Sequence, residues 1–250
     1  MNALFDISGK VVCVTGASSG LGRQAATLLA EAGAQVVGVA RRAAELSAWS
    51  SNTGGQTACV TADLSDRTTL TDVAEAASAP FGPVDILINA AGINTRQHAD
   101  DVTDDGWDVT LNLNLAAPFF LAQALVPGMK AKGWGRIVNF ASLQSRRAFP
   151  AGISYGASKG GVEQMTRAMA EAWSGHGVTA NAVAPGFFRT ELTGPVFANP
   201  ELAQRNAHQT CIGRNGEPSD LDGPLMFFCS PASDYVTGQT LFVDGGFTAK

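Results

Sequence analysis

Cysteine and histidine are scarce in this 250-residue sequence, and neither is spaced for metal binding. The cysteines lie far apart without a CxxC pair, which argues against a disulfide framework and a zinc site. They are Cys13, Cys59, Cys211 and Cys229. The three histidines also lack paired spacing. We therefore expect no bound metal and a reducing compartment, the cytoplasm.

Runs of one charge and long apolar runs are missing too. The net charge is -5 and no segment is rich in Lys and Arg, so we expect neither nucleic acid nor a membrane as a partner. Residues 1–10 lack the order of a signal peptide. The most apolar stretch, about Leu111 to Met129, is interrupted by asparagine, proline and glutamine and predicts a buried helix. A small-molecule partner fits this composition best.

Hydrophobic residues (45%) and glycine (28 residues) are abundant, as in a globular chain with many tight turns. Short β-branched segments alternate with longer Ala/Leu-rich stretches, which is typical of successive βαβ units. We predict an α/β fold with a doubly wound, Rossmann-like parallel sheet in a single domain, residues 1–250. The predicted strands are Lys10–Thr15, Gln35–Ala40, Thr57–Thr61, Ile86–Asn89, Arg136–Phe140, Thr179–Val183 and Thr240–Val243. The predicted helices are Leu21–Ala32, Leu70–Ala77, Trp107–Lys130, Tyr155–Trp173 and Ser219–Cys229.

One long segment, about Gly186 to Gly216, shows no regular pattern and holds two prolines and several aromatic residues. Loops of this length above an α/β sheet often close over a substrate. We therefore predict a substrate lid at about residues 187–216.

A glycine-rich loop follows the first predicted strand directly and precedes a helix. Gly16 permits a tight turn, Gly20 lets the backbone approach a pyrophosphate, and Gly22 allows close packing of helix on strand. The helix N-terminus then faces the anion. This order predicts a dinucleotide site, although a glycine-rich loop alone can be an ordinary βα turn.

The spacing TGxxxGxG, from Thr15 to Gly22, resembles that of the short-chain dehydrogenase/reductase family, and the resemblance extends over nearly the whole chain. It implies that Asp63 and Leu64 border the adenine ring, although Asp63 could also be a plain helix cap. The segment Asn89–Gly92 resembles the family's NNAG motif, with Ala90 in place of the second asparagine.

The residues after the second predicted strand decide the choice of nicotinamide cofactor. A carboxylate there would bind the adenosine ribose, whereas arginine accommodates a 2′-phosphate. Ala40 stands where NAD-preferring members of the family carry aspartate, and Arg41 and Arg42 follow. NADP is therefore favoured and NAD remains possible, because two arginines could also be the solvated start of the next helix.

Tyr155 and Lys159 are four residues apart in a predicted helix, so both side chains lie on one face. Hydride transfer at a carbinol or carbonyl carbon requires a proton transfer at the oxygen, and a free tyrosine has a pKa of about 10. A neighbouring ammonium group is expected to lower that pKa. Taken alone, YxxxK also occurs as a surface tyrosine beside a lysine. The resemblance also implies that Lys159 donates hydrogen bonds to the nicotinamide ribose.

Ser142 and Asn114 complete the predicted catalytic tetrad. Ser142 follows the fifth strand and would hold the substrate oxygen, or else be a simple turn residue. Asn114 lies among leucines, where an amide needs partners. The resemblance implies that it perturbs its helix and holds a water molecule linked to Lys159; a satisfied core amide is the alternative.

The resemblance also places Pro185, Gly186 and Thr190 beside the nicotinamide carboxamide. The full set of predicted cofactor-binding residues is Gly16, Ser18, Ser19, Gly20, Leu21, Gly22, Arg41, Arg42, Asp63, Leu64, Asn89, Ala90, Ala91, Gly92, Tyr155, Lys159, Pro185, Gly186, Phe188 and Thr190.

Within the family, the sequence is most similar to sugar-acid members such as gluconate 5-dehydrogenases and 2-dehydro-3-deoxygluconate dehydrogenases. The predicted substrate-binding residues are Arg96, Ser142, Gln144, Arg146 and Tyr155. Arginine suits a substrate carboxylate, but both arginines could instead be exposed solubility residues. The alternatives are a 3-oxoacyl carrier-protein reductase, a general secondary-alcohol dehydrogenase, or a non-enzymatic dinucleotide sensor.

Two predicted helices, Trp107–Lys130 and Tyr155–Trp173, carry small or apolar residues on more than one side. A helix that packs only on its own sheet needs one apolar stripe. Together with the family resemblance, this predicts a homotetramer with two-fold interfaces.

Overall fold

The computed structural model describes residues 3–250, and one seven-stranded sheet runs through them. The strands are β1 (Val11–Thr15), β2 (Gln35–Ala40), β3 (Gln56–Thr61), β4 (Ile86–Asn89), β5 (Gly135–Phe140), β6 (Val178–Pro185) and β7 (Thr240–Val243). All neighbours pair in parallel, in the order β3-β2-β1-β4-β5-β6-β7. The predicted doubly wound, Rossmann-like sheet in one domain is confirmed, with strand ends shifted by no more than two residues.

Helices cover both faces of the sheet. They are α1 (Gly20–Glu31), α2 (Ala43–Asn52), α3 (Leu70–Ser78), α4 (Asp104–Leu111), α5 (Ala117–Lys132), α6 (Ile153–Trp173), α7 (Gly194–Phe197), α8 (Pro200–Gln209) and α9 (Asp222–Cys229). Helices α1, α2 and α9 share one apolar core with the sheet, while α3, α5 and α6 share the other. Strands covered on both faces become continuous apolar runs, as in the fully buried β1.

The helix predictions were less complete than the strand predictions. Helix α2 was missed, and the segment expected to be irregular contains α7 and α8. The last predicted helix is divided into a 3₁₀ turn, Pro218–Leu221, followed by α9.

The long predicted helix forms as α4 and α5 joined by a π-helical turn, Asn112–Ala116. By length and composition alone, Asp104–Lys132 could cross a membrane. In the fold it packs against α3 and α6, and half of its most apolar window is buried. The segment is therefore a core helix in which the remaining apolar surface faces outward.

The carboxyl ends of β1, β4, β5 and β6 meet at one edge of the sheet. The chain order reverses between β1 and β4, and open α/β sheets bind ligands beside such a switch point. The segments that follow these four strands supply the glycine loop and most of the predicted catalytic residues.

Candidate active site

A cleft of about 890 Å³ opens at this edge of the sheet. Every predicted cofactor-binding residue except Asn89 lines it, as do Ser142, Gln144 and Arg96. The volume lies within the usual range of roughly 300–1,000 Å³ for cofactor and ligand pockets.

The glycine loop shapes one end of the cleft. Gly16 and Gly20 have φ values of +74° and +56°, which favour glycine. A Cβ atom on Gly22 would lie 2.5 Å from the Gly16 carbonyl oxygen, so only glycine allows this packing of α1 on the loop. Helix α1 begins at Gly20 without a side-chain cap, which leaves its first N–H groups available to an anion. The loop fits a pyrophosphate.

Asn89, predicted to bind the cofactor, does not line the cleft. Its side chain is buried beneath the cleft, where Nδ2 donates to Asn139 Oδ1 at 2.9 Å and to the Pro118 carbonyl at 3.4 Å. The amide therefore ties β4 to β5 and α5. A buried amide takes the partners that the fold offers it.

Thr15 has a role that the sequence analysis did not identify. Its hydroxyl accepts hydrogen bonds from the N–H groups of Ala90 and Ala91, each at 3.1 Å. These bonds hold the segment after β4 against the end of β1. Both alanines line the cleft, so the hydrogen bonds that Thr15 accepts fix the backbone at the end of the cleft where the cofactor is predicted to bind. The signal was present as the threonine of the TGxxxGxG motif.

Arginines border the adenosine end of the cleft. Arg42 donates to Ser19 Oγ at 2.6 Å and Ser18 Oγ at 3.3 Å, and it pairs with Glu191 at 3.0 Å. The Arg42 hydrogen bond lowers the pKa of Glu191. Arg41 lies 3.8 Å from a carboxylate oxygen of Asp63 and is otherwise open to solvent. Asp63 also accepts hydrogen bonds from the N–H and hydroxyl of Ser65 and so caps the following turn. Asp63 lines the cleft as well, so one residue has both of the positions considered in the sequence analysis.

Tyr155 and Lys159 stand one turn apart on α6 and are 9% and 4% exposed. The Lys159 ammonium lies 5.7 Å from the Tyr155 ring centre and donates to the Phe140 carbonyl at 2.5 Å. Burial raises the pKa of Tyr155, while a hydrogen bond with Ser142 and the charge of Arg96 oppose that rise. Burial also lowers the pKa of Lys159 to about 8. Burial therefore outweighs the Ser142 hydrogen bond and the charge of Arg96 in setting the pKa of Tyr155.

Hydrogen bonds join Ser142 and the turn after it to α6. Ser142 Oγ accepts from the Gln144 N–H at 3.1 Å and hydrogen-bonds Tyr155. Ser145 Oγ donates to the Lys159 carbonyl at 2.7 Å, which anchors the turn on α6. These bonds hold the serine and tyrosine hydroxyls together at the cleft, where both can contact one substrate oxygen.

Asn114 lies in the π-helical turn, as expected of a residue that perturbs its helix. Its amide accepts from the Ile93 N–H and donates to the Ile93 carbonyl, both at 2.9 Å, and donates to Ser158 Oγ at 3.1 Å. A Cβ on Gly92 would lie 3.2 Å from Asn114 Oδ1 and 3.7 Å from Lys159 Nζ. Asn114 thus borders the same small space as the lysine and joins the loop after β4 to α6.

The predicted substrate residues separate into two groups. Arg96 and Gln144 line the cleft; Arg96 donates to the Leu192 carbonyl, and Gln144 Oε1 is buried without a hydrogen-bond partner. Arg146, in contrast, does not line the cleft. Its Nε donates to both carboxylate oxygens of Glu163 at 3.0 and 3.2 Å, and its guanidinium lies over the Phe242 ring. Glu163 is buried and requires that counter-charge, which holds Arg146 outside the cleft.

Further residues that the sequence analysis did not predict as ligand-binding also line the cleft. Phe149 and Phe187 line the cleft and pack on Phe247 near the chain's end, with ring centres 5.7–6.3 Å apart. Helix α8 also lines the cleft, through Arg205 and Asn206 among others. Across residues 3–250, no cluster of acidic, histidine or cysteine side chains is suited to a metal ion.

A phosphate-binding loop, two arginines at the adenosine end and a Ser-Tyr-Lys group at the centre define a nicotinamide-dependent oxidoreductase. A family model described as enoyl-(acyl carrier protein) reductase matches residues 16–248. The gluconate 5-dehydrogenase of Gluconobacter oxydans is 39% identical, with 99% of this chain and 98% of the relative covered. The galactitol 2-dehydrogenase (L-tagatose-forming) of Cereibacter sphaeroides is also 39% identical, with 98% and 97% covered.

Among solved structures, a gluconate 5-dehydrogenase from Burkholderia cenocepacia in complex with NADP and tartrate has a TM-score of 0.94 and 34% identity, with 99% of this chain and 98% of that chain covered. This chain belongs to the short-chain dehydrogenase/reductase family.

Proposed function

We propose that this protein uses NADP(H) to interconvert a secondary alcohol and a ketone on a sugar acid or polyol. The observation that carries the proposal is the cleft itself, in which Ser142 and Tyr155 meet between two cationic ends. Arg41 and Arg42 at one end suit an adenosine 2′-phosphate. Arg96 and polar lid residues at the other suit an oxygen-rich substrate. The functions of the gluconate and galactitol dehydrogenases support this substrate class.

The chain's own residues supply the proton chemistry. The bound nicotinamide would accept or donate the hydride at the reacting carbon. In the reduction, Tyr155 donates its phenolic proton to the substrate oxygen, and in the oxidation the phenolate takes that proton back. Ser142 holds the same oxygen and stabilises the charge that develops on it. Lys159, a cation at neutral pH, stabilises the phenolate that remains after reduction.

The raised pKa of Tyr155 favours the protonated phenol, which is the form that donates in the reduction. Arg96 lies close enough to oppose this elevation, so it serves both the tyrosine and an anionic substrate. Charge brought into the cleft by the cofactor then adjusts the balance between phenol and phenolate.

The test is a screen of purified protein for nicotinamide absorbance changes with NADP+ and NAD+ against aldonates, polyols and, with NADPH, 3-oxoacyl thioesters. We expect the highest kcat/KM with NADP+ and an aldonate or polyol. Turnover confined to acyl thioesters would instead identify a 3-oxoacyl carrier-protein reductase. Cofactor binding without turnover of any of these substrates would favour a dinucleotide sensor.

We further propose a cytoplasmic homotetramer with a lid formed by residues 187–216. All four cysteines are free thiols, which suits a reducing compartment. The lid segment contributes residues to the cleft from Phe187 through Gln209. Several alanines on the outer face of α6 are exposed, among them Ala157, Ala168 and Ala172, and they would let a symmetry-related helix approach closely.

A further inference from the structure

The side of α8 that faces the cleft is mostly polar. Leu202, Arg205, Asn206 and Gln209 all line the cleft, and their spacing of three, four and seven residues places them on one helical face. A lid helix that only covered an apolar cavity would present apolar residues at these positions. Three of the four are polar, so this face is suited to an oxygen-rich ligand.

Two of these side chains have polar groups without partners. Asn206 is only 4% exposed, and its amide makes no hydrogen bond to any residue in the range 3–250. The amide nitrogen and oxygen of Asn206 are accessible from the cleft, so a ligand can form hydrogen bonds with them there. Arg205 is exposed at the cleft, and its guanidinium has no ion pair or hydrogen bond within the described residues. A ligand that bonds both groups would satisfy them.

The position of α8 assigns these groups to the substrate end of the cleft. Lys250 Nζ donates to the carbonyls of His208 and Thr210, which joins the end of α8 to the C-terminal segment. In that segment Phe247 packs on Phe149 and Phe187, the aromatic wall of the cleft. The adenosine end, in contrast, is closed by the arginines that follow β2.

Charge separates the two ends as well. The residues that line the cleft include two carboxylates, Asp63 and Glu191, and both lie with Arg41 and Arg42 at the adenosine end. No carboxylate among the described lining residues accompanies Arg205 at the other end. Unpaired positive charge in a partly enclosed cleft attracts an anionic group.

We propose that Arg205 and Asn206 form a distal subsite for the carboxylate and an adjacent hydroxyl of an acyclic sugar acid. The carboxylate pairs with the Arg205 guanidinium, and Asn206 bonds the hydroxyl. This inference rests on the proposed function and assigns the end of the substrate remote from Tyr155.

The experiment compares wild type with Arg205→Gln on two probes, D-gluconate and the neutral alditol galactitol, at saturating NADP+. Loss of a charge-assisted hydrogen bond predicts a KM for gluconate that is about 10–100-fold higher, with kcat nearly unchanged. The KM for galactitol should stay within about twofold, since no carboxylate is lost. Arg205→Lys should recover part of the gluconate affinity. Gln204→Ala, on the exposed side of the same helix, is the matched control and should leave both substrates unaffected.

Asn206→Asp provides a second variant with an intact arginine. The added carboxylate should raise the KM for gluconate and spare galactitol. NADPH binding by fluorescence checks that each variant is folded. The subsite is overturned if Arg205→Gln leaves the KM for gluconate unchanged, or if it raises the KM for gluconate and galactitol equally. In either case, turnover of these substrates by the wild type still supports the proposed function. A wild-type enzyme that oxidises neither aldonates nor polyols overturns the proposed function itself.

Discussion

Arg41 and Arg42 stand side by side at the adenosine end of the cleft, but their surroundings differ. Arg42 is held by two serines and Glu191, whereas Arg41 has a single distant contact with Asp63. An arginine with few protein partners is free to bind a phosphate. Arg41 is therefore the residue on which a preference for NADP depends most.

Arg41→Asp should shift the cofactor preference toward NAD. The new carboxylate repels a 2′-phosphate and can accept a hydrogen bond from an unmodified ribose. Loss of the phosphate contact alone predicts a roughly 10–100-fold fall in kcat/KM for NADP+. The ratio of kcat/KM for the two cofactors measures the effect, and Arg41→Gln should give an intermediate ratio. An unchanged ratio in Arg41→Asp would show that Arg41 does not read the phosphate.

At individual positions, sequence patterns were most informative where backbone geometry limits the choice of residue. The glycine loop and the Tyr155–Lys159 pair are local patterns, and both border the cleft as expected. The position of Arg146 outside the cleft was not evident from the sequence, because the fold brings its partner Glu163 to it. The burial of Tyr155, which sets the direction of its pKa shift, likewise depends on the tertiary fold.

Among the secondary-structure elements, strands were easier to predict than helices. Strands buried on both faces are short apolar runs, so their positions are evident without knowledge of the neighbouring elements. Helix α2 buries only Leu46 and Trp49, which is a weak periodic signal. The inner face of α8 is polar because it faces a cleft, so α8 lacks the apolar stripe from which a helix is predicted.

The π-helical turn at Asn112–Ala116 is a further feature that periodicity alone does not reveal. Such turns often occur at functional sites within longer helices. Here the turn carries Asn114 to the backbone of Ile93 and the hydroxyl of Ser158. The turn therefore connects the segment formed by α4 and α5 with α6.

For the whole molecule, exposed small residues on α6 support assembly through the catalytic helix. We expect light scattering of wild type at micromolar concentration to give about four times the mass of one chain. Ala168→Glu places a charge on the outer face of α6 and should reduce the mass and the thermal stability. Ala48→Glu, at an exposed alanine on α2, is the matched control and should remain tetrameric. A fully active wild-type monomer contradicts the assembly, and an active dimer leaves only one of the two interfaces.

The central claim is that this cleft holds a nicotinamide cofactor beside Tyr155, which transfers the proton to or from the substrate oxygen. Tyr155→Phe removes that proton and retains the ring, so turnover and cofactor binding can be separated. Stopped-flow turnover combined with NADPH fluorescence titration of the same preparation is the direct measurement. The account predicts a roughly 10²–10⁴-fold loss of kcat with NADPH affinity nearly unchanged. A folded Tyr155→Phe protein with wild-type turnover would contradict it.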